Sequence, residues 1–129
     1  MTFLADACAL IFFHGRGGES MTAPAVQAME EGDILVSPIT VWEITRKTIL
    51  GKLQSPKPKH HAGDFSSWLI DAGYRILPLS WAACERANGL PAFHSDPMDR
   101  MLIATALENA LTIITKDKIF ARYGVPTIW

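Results

Sequence analysis

The stretch HSDPMDRMLIATALENALTIITKD, residues 94–117, decides the fold. Asp96 fits a helix N-cap and Pro97 the first helical position, and the apolar periodicity carries this helix to about Asn109. Leu111–Ile114 follows at once as a short apolar run, the pattern of a strand covered on both faces. The same alternation repeats outward in both directions. Thr2–Ala5 reads as a strand and Ala7–Phe13 as a helix, broken at Gly15, Gly17 and Gly18. That glycine cluster lacks the Gly-Lys-Ser/Thr ending of a phosphate loop and reads as a connection. Ala23–Glu31 is a helix with Pro24 in its first turn and Gly32 as its stop. Ile34–Val36 is a strand, and Ser37-Pro38 opens a helix that runs to about Leu50 and ends at Gly51.

Pro56 and Pro58 mark an extended loop. Phe65–Ala72 is a helix with Asp64 as cap, Tyr74–Leu79 a strand, and Ser80 caps a helix through Ala87. Beyond the opening stretch, Lys118–Tyr123 reads as a short helix and Val125–Trp129 as a last strand. Short apolar strands alternating with helices predict an α/β fold, a three-layer sandwich with a central parallel sheet of four to five strands flanked by helices. The expected organisation is one domain over residues 1–129.

Composition sets the outer limits. Of 129 residues, 49% are hydrophobic and 19% charged, a globular balance. At this length roughly two-thirds of the unfolded surface is buried on folding, enough for a core without staples. Cys8 and Cys84 match no metal or disulfide spacing; Cys8 reads as a small core residue, a usage that fits a reducing cytoplasm. No segment reaches membrane-spanning length, and the start shows no secretory pattern, so a cytoplasmic location and no membrane partner are expected. The net charge of −1 does not announce a nucleic-acid binder. Its distribution is more informative. Between Ile44 and Gly63 no acid occurs, while Arg46, Lys47, Lys52, Lys57, Lys59, His60 and His61 do. Such a stripe either attracts phosphates or is a solvated helix end and loop. Trp42, Trp68, Trp81 and Trp129 each sit in apolar or amphipathic runs and are assigned to the core rather than to base stacking.

Four acids carry the functional reading. Asp6 lies at the carboxyl end of the first strand, and Asp117 just past the Leu111–Ile114 strand. Glu43 is in the second turn of the helix after Ile34–Val36, and Asp99 in the first turn of its own helix. In open α/β sheets, sites form beyond the carboxyl ends of the strands, so all four can face one edge. Each has a plainer explanation too. Asp6 and Asp117 suit helix caps, and Asp99 suits the helix dipole. Glu43 stands four residues before Lys47, the favourable spacing for a surface pair and, for Glu43 alone, the preferred reading.

If the four converge, their repulsion calls for a cation. Hard oxygen donors suit Mg²⁺ or Mn²⁺, which assist phosphodiester hydrolysis. Arg100, Lys116 and Lys118 flank the acids and either neutralise phosphate or are ordinary surface charges. Thr115 offers a hydroxyl or serves only the strand end. His94 is assigned a bond to a backbone group in preference to a substrate role. No Ser-His-Asp set stands out, and His60-His61 lack a partner at zinc spacing.

These motifs resemble the PIN-domain ribonucleases, and among them the VapC-type toxins of bacterial toxin–antitoxin pairs. LADACALIFF is similar to the family's first strand and first metal-site acid, here Asp6. VWEITRKTILGKL is similar to the segment bearing the second acid, here Glu43. LPAFHSDPMDRMLIATAL resembles the most specific signature, whose second Asp, here Asp99, is the metal-site acid. IITKDKIFARYGVPTIW resembles the ending that carries the fourth, Asp117. The resemblance implies catalysis and metal binding by Asp6, Glu43, Asp99 and Asp117, with Mg²⁺ or Mn²⁺ as cofactor. It implies endonucleolytic RNA cleavage, a homodimer, and a small antitoxin whose tail enters the acidic site. Arg46, Lys47, Arg100, Thr115 and Lys116 are the expected substrate-binding residues. Cys8 stands where many relatives have Ser or Thr, and Met98 where an aromatic is common; altered efficiency rather than inactivity is expected. Two rivals remain. A phosphatase with Asp6 as nucleophile lacks its second Asp, since Cys8 occupies that place. An inactive relative that only binds RNA or protein is the alternative.

Overall fold

A computed structural model of the chain describes residues 1–15 and 17–129. Five strands form one parallel sheet in the order β3-β2-β1-β4-β5. They are β1 (Thr2–Ala5), β2 (Asp33–Val36), β3 (Arg75–Ile76), β4 (Thr112–Ile114) and β5 (Thr127–Ile128). The helices are α1 (Ala7–Gly15), α2 (Ala23–Glu31), α3 (Pro38–Ile49), α4 (Phe65–Asp71), α5 (Trp81–Gly89) and α6 (Pro97–Glu108), and a 3₁₀ turn spans Lys118–Tyr123. The expected α/β sandwich is therefore present, with five strands.

Alternation along the strands builds two cores. Phe3 and Ala5 of β1, Ile34 and Val36 of β2, and Ile114 of β4 pack against α1, α2 and α4 on one face. Leu4, Leu35 and Ile113 point the other way, onto Leu102, Ile103 and Ala106 of α6 and onto Phe120 and Tyr123. Because both faces are covered, every residue of the central strands after the first is apolar, and no polar alternation betrays them. α5 lies outside α6, joined to it through Ala83, Ala87 and Ala104.

The predicted caps are in place. Ser37 Oγ accepts the Ile39 N–H at 3.1 Å, Asp64 Oδ1 the Ser67 N–H at 2.8 Å, and Ser80 Oγ the Ala83 N–H at 3.0 Å. Asp96 Oδ1 accepts from both Met98 and Asp99, at 2.9 and 3.0 Å.

Two expectations shrink. The strands read at Tyr74–Leu79 and Val125–Trp129 reduce to Arg75–Ile76 and Thr127–Ile128. Both lie at sheet edges with a neighbour on one side only, and Pro78 and Pro126 have no N–H to donate. The tryptophans also divide. Trp68 is core at 6% exposure, and Trp129 is partly buried with its ring edge-on to Phe12. Trp42 and Trp81 are not core: they are 55% and 89% exposed. Trp81 precedes Ala83 by two positions, and Trp42 precedes Ile44 by two. Two residues on a helix are about 200° apart, so burial of one turns the other outward.

Candidate active site

The strand order reverses at β1, which has β2 on one side and β4 on the other. The chain leaves the carboxyl ends of these strands through Asp6, Ser37 and Thr115, and a cleft of 310 Å³ opens beside that edge. Asp6, Glu43, Asp99 and Asp117 all line it. The four separate acids therefore share one cavity.

Asp6 is the deepest, at 8% exposure. Its own N–H donates to Ile114 O of β4 (3.2 Å), and Oδ1 accepts the Ala9 N–H (2.9 Å), so it caps α1 and lines the cleft at once. Burial is the main cause that lifts its carboxyl to about 7. The Thr115 hydroxyl and the Ala9 amide oppose this, and the charges of Glu43 and Asp99 add to it. Asp99, on the first turn of α6, is lifted to about 6, first by burial and then by the charge of Asp96, with Asp117 adding and His94 opposing.

Asp117 caps the 3₁₀ turn, Oδ1 accepting the Ile119 N–H at 3.0 Å, and its own N–H donates to Thr115 Oγ1 at 3.1 Å. Thr115, buried below both, links Asp6 to Asp117 and does not itself line the cleft. Glu43 accepts from Lys47 Nζ at 2.9 Å, the pair read from the spacing, yet both side chains face the cavity. A structural role and a place in the cleft thus coexist at Asp6, Glu43 and Asp117.

Arg46 and Lys47 are the two cations on the wall, against five carboxylates, because Asp96 joins the four. Asp96 was legible only as a cap. The rest of the basic stripe is dispersed. Lys57 Nζ donates to His61 O (2.8 Å), His61 Nε2 meets Asp71 (2.9 Å), and Lys52, Lys59 and His60 are exposed on the loop. Arg100 does not reach the cleft wall. Its Nη1 donates to Pro91 O and His94 O, and its Nη2 to Ala87 O and Leu90 O, at 2.8–3.2 Å. Lys116 is exposed, its ammonium 4.9 Å above the Phe12 ring. Cys8 is not core: it is half-buried on the cleft wall. Burial, with the charges of Asp6 and Glu43, pushes its thiol up to about 11, so it stays protonated and is no nucleophile. His94 also departs from expectation. Its ring bonds two side chains rather than a backbone group, spanning the Tyr123 hydroxyl (2.6 Å) and Asp99 Oδ2 (3.3 Å).

Among the described residues, no three His, Cys, Asp or Glu side chains stand close enough to form a ready-made metal cage. The donor set nevertheless fits Mg²⁺ or Mn²⁺. It is all hard oxygen, and Mg²⁺ keeps several waters and takes only one or two carboxylates directly. The raised carboxyls of Asp6 and Asp99 report burial and mutual repulsion that a divalent cation relieves.

The family model of the PIN domain matches residues 3–126. The chain belongs to the PIN domain family. This PIN domain is 28% identical over 118 residues to a curated protein of Mycobacterium tuberculosis named Ribonuclease VapC22, with 86% of each chain covered. Its fold is shared with the crystal structure of VapBC2 from Rickettsia felis bound to a promoter DNA fragment: TM-score 0.69, 13% identity, 98% of this chain and 97% of that one covered. A toxin–antitoxin complex from Klebsiella pneumoniae gives a TM-score of 0.65 at 22% identity, covering 98% and 96%. The PIN domain described here is thus similar in sequence to a protein named as a VapC ribonuclease. No helix among its described residues is long and apolar enough to cross a membrane.

Proposed function

We propose that this PIN domain is an endoribonuclease, the toxin of a toxin–antitoxin pair, and that it hydrolyses RNA phosphodiester bonds at the acidic cleft with Mg²⁺ or Mn²⁺. One observation carries the reading: four acids from four elements line one cavity at the carboxyl edge of a parallel sheet, two of them lifted to about 7 and about 6. The relative named as a ribonuclease and the fold shared with toxin–antitoxin complexes support it.

Asp6, Asp99, Glu43 and Asp117 would hold the ion, directly or through water. When bound, it would supply an activated water and stabilise charge on the departing oxygen. Asp6 takes hydrogen bonds from the Ala9 amide and the Thr115 hydroxyl, which fix its direction at the cleft. Lys47 and Arg46 stand on the wall where a phosphate meets the five acids, and would offset repulsion of the RNA backbone. Thr115 would act through Asp6 and Asp117 rather than on substrate. Arg100 would act through the 87–94 segment that it ties down, and Lys116 would meet RNA outside the cleft.

Five carboxylates against two cations also suit a basic tail of an antitoxin. A homodimer and a cytoplasmic site of action complete the proposal.

Asp99→Asn is expected to abolish RNA cleavage and growth arrest while the protein stays folded. Full cleavage by that variant, free of wild-type protein, would overturn the assignment. Cys8 on the cleft wall, in place of a hydroxyl, gives room to a second reading, a binding module without catalysis. Titration with Mn²⁺ separates the two, since such a module would bind RNA without binding the ion.

A further inference from the structure

We propose that His94 is a positioning residue that sets the direction of Asp99 through its Nε2–H, in a tautomer imposed by Tyr123. This rests on the proposed ion site at Asp99, and it names a residue that site requires.

The argument is a count of hydrogens. The Tyr123 hydroxyl oxygen receives the His94 backbone N–H at 3.1 Å and Arg100 Nη1–H at 3.3 Å. A phenolic oxygen has room for about two such donors and carries one proton; the amide fills one place, and Arg100 Nη1, whose two hydrogens also serve Pro91 O and His94 O, shares a hydrogen with the other. Its proton must then point outward as a donor. His94 Nδ1 lies 2.6 Å away, against 3.5 Å for the His94 carbonyl oxygen, so the nearer nitrogen receives it. An Nδ1 that accepts carries no hydrogen, and the neutral ring must hold its proton on Nε2. Nε2 faces Asp99 Oδ2 at 3.3 Å and therefore donates to it.

Arg100 anchors the arrangement from behind. Besides Tyr123, its guanidinium bonds four carbonyls between Ala87 and His94, which fixes the segment that carries the histidine. Both His94 and Asp99 are largely buried, with side chains 21% and 27% exposed. The line Arg100–Tyr123–His94–Asp99 thus holds one carboxylate oxygen and leaves the other for the cleft. Partners that orient a metal-binding carboxylate in this way typically alter metal affinity about 10–100-fold when removed.

The test uses the full chain and two readouts. In ion-free protein, nitrogen NMR of His94 should show Nε2 protonated and Nδ1 bare, and Tyr123→Phe should abolish that preference. Binding of Mn²⁺ alone, by calorimetry, should weaken about 10–100-fold in His94→Leu. It should stay within about threefold of wild type in His94→Gln, whose amide nitrogen reaches the position of Nε2. A proton on Nδ1 in the wild type, or undiminished Mn²⁺ affinity in a folded His94→Leu protein, overturns the proposal. Wild-type protein that binds no Mn²⁺ would instead defeat the metal reading, and the NMR result would still judge the contact to Asp99. If His94→Leu does not fold, the wild-type spectrum and the Tyr123→Phe and His94→Gln proteins decide.

Discussion

Asp6→Asn is expected to make the protein more stable while destroying its activity. In the folded chain the Asp6 carboxyl is lifted from 3.8 to about 7, chiefly by burial. Between those values the folded state holds a proton that the unfolded state has released. Stability from this group is therefore complete below pH 3.8 and falls as pH rises through about 7. At pH 8 the folded protein bears the whole cost of a buried charge, about 4 kcal/mol. Asparagine keeps the oxygen that accepts the Ala9 N–H and removes the charge.

In chelator at pH 8, Asp6→Asn should unfold on the order of 10 °C above wild type, and the gap should narrow toward pH 5. Mg²⁺ should then raise the wild-type midpoint by mass action, about 2.7 kcal/mol at a hundred times Kd, and raise that of the variant less. Thermal unfolding followed by circular dichroism at several pH values, with chelator and with Mg²⁺, measures all of this. An Asp6→Asn protein that melts at or below the wild-type temperature at pH 8 in chelator would refute the reasoning.

Other outcomes follow from single contacts. Thr115→Val removes the acceptor of the Asp117 N–H and the hydroxyl beside Asp6, and should cost about 1–3 kcal/mol in urea unfolding. Lys47→Ala should change stability by no more than about 0.5 kcal/mol, since its pair with Glu43 is partly exposed, yet raise the KM for RNA. Trp81→Ser should be neutral within about 0.5 kcal/mol, whereas Trp68→Ala should cost about 3–5 kcal/mol; chemical denaturation compares them. Cys8, with its thiol pushed up to about 11, should alkylate with iodoacetamide more slowly at pH 8 than an unfolded-chain control, as mass spectrometry would show.

What was legible in the sequence was whatever a short local pattern encodes. The helix starts at Ser37, Asp64, Ser80 and Asp96 are readable because a cap is a bond between residues two or three apart. The central strands are readable because burial on both faces forbids polar alternation. The edge strands were overdrawn, since pairing on one side ends at a proline whatever the apolar run beyond it. Trp42 and Trp81 misled because an apolar type says nothing about which side of a helix it occupies. The four cleft acids were found by their place after strands. Asp96 was missed as a wall residue because its cap role explained it fully. His94 was misassigned because its partners, Tyr123 and Asp99, include one that lies 29 positions away. Arg100, next to Asp99 in sequence, turns away from the cleft because adjacent helical residues point about 100° apart.

Asp6, Asp96 and Asp117 each spend a carboxylate oxygen on a backbone amide. An asparagine at any of them retains that bond and gives up only charge. In the genetic code the aspartate and asparagine codons differ in their first base alone. If Asp6 and Asp117 hold the ion as proposed, one transition at either disarms the cleft with little injury to the scaffold. If the protein is a toxin as proposed, a host burdened by an uninhibited copy would select such lesions first, and full-length clones recovered after overexpression should carry them. On the proposed function, the same feature opens to an evolving lineage a short path from cutting RNA to merely holding a partner.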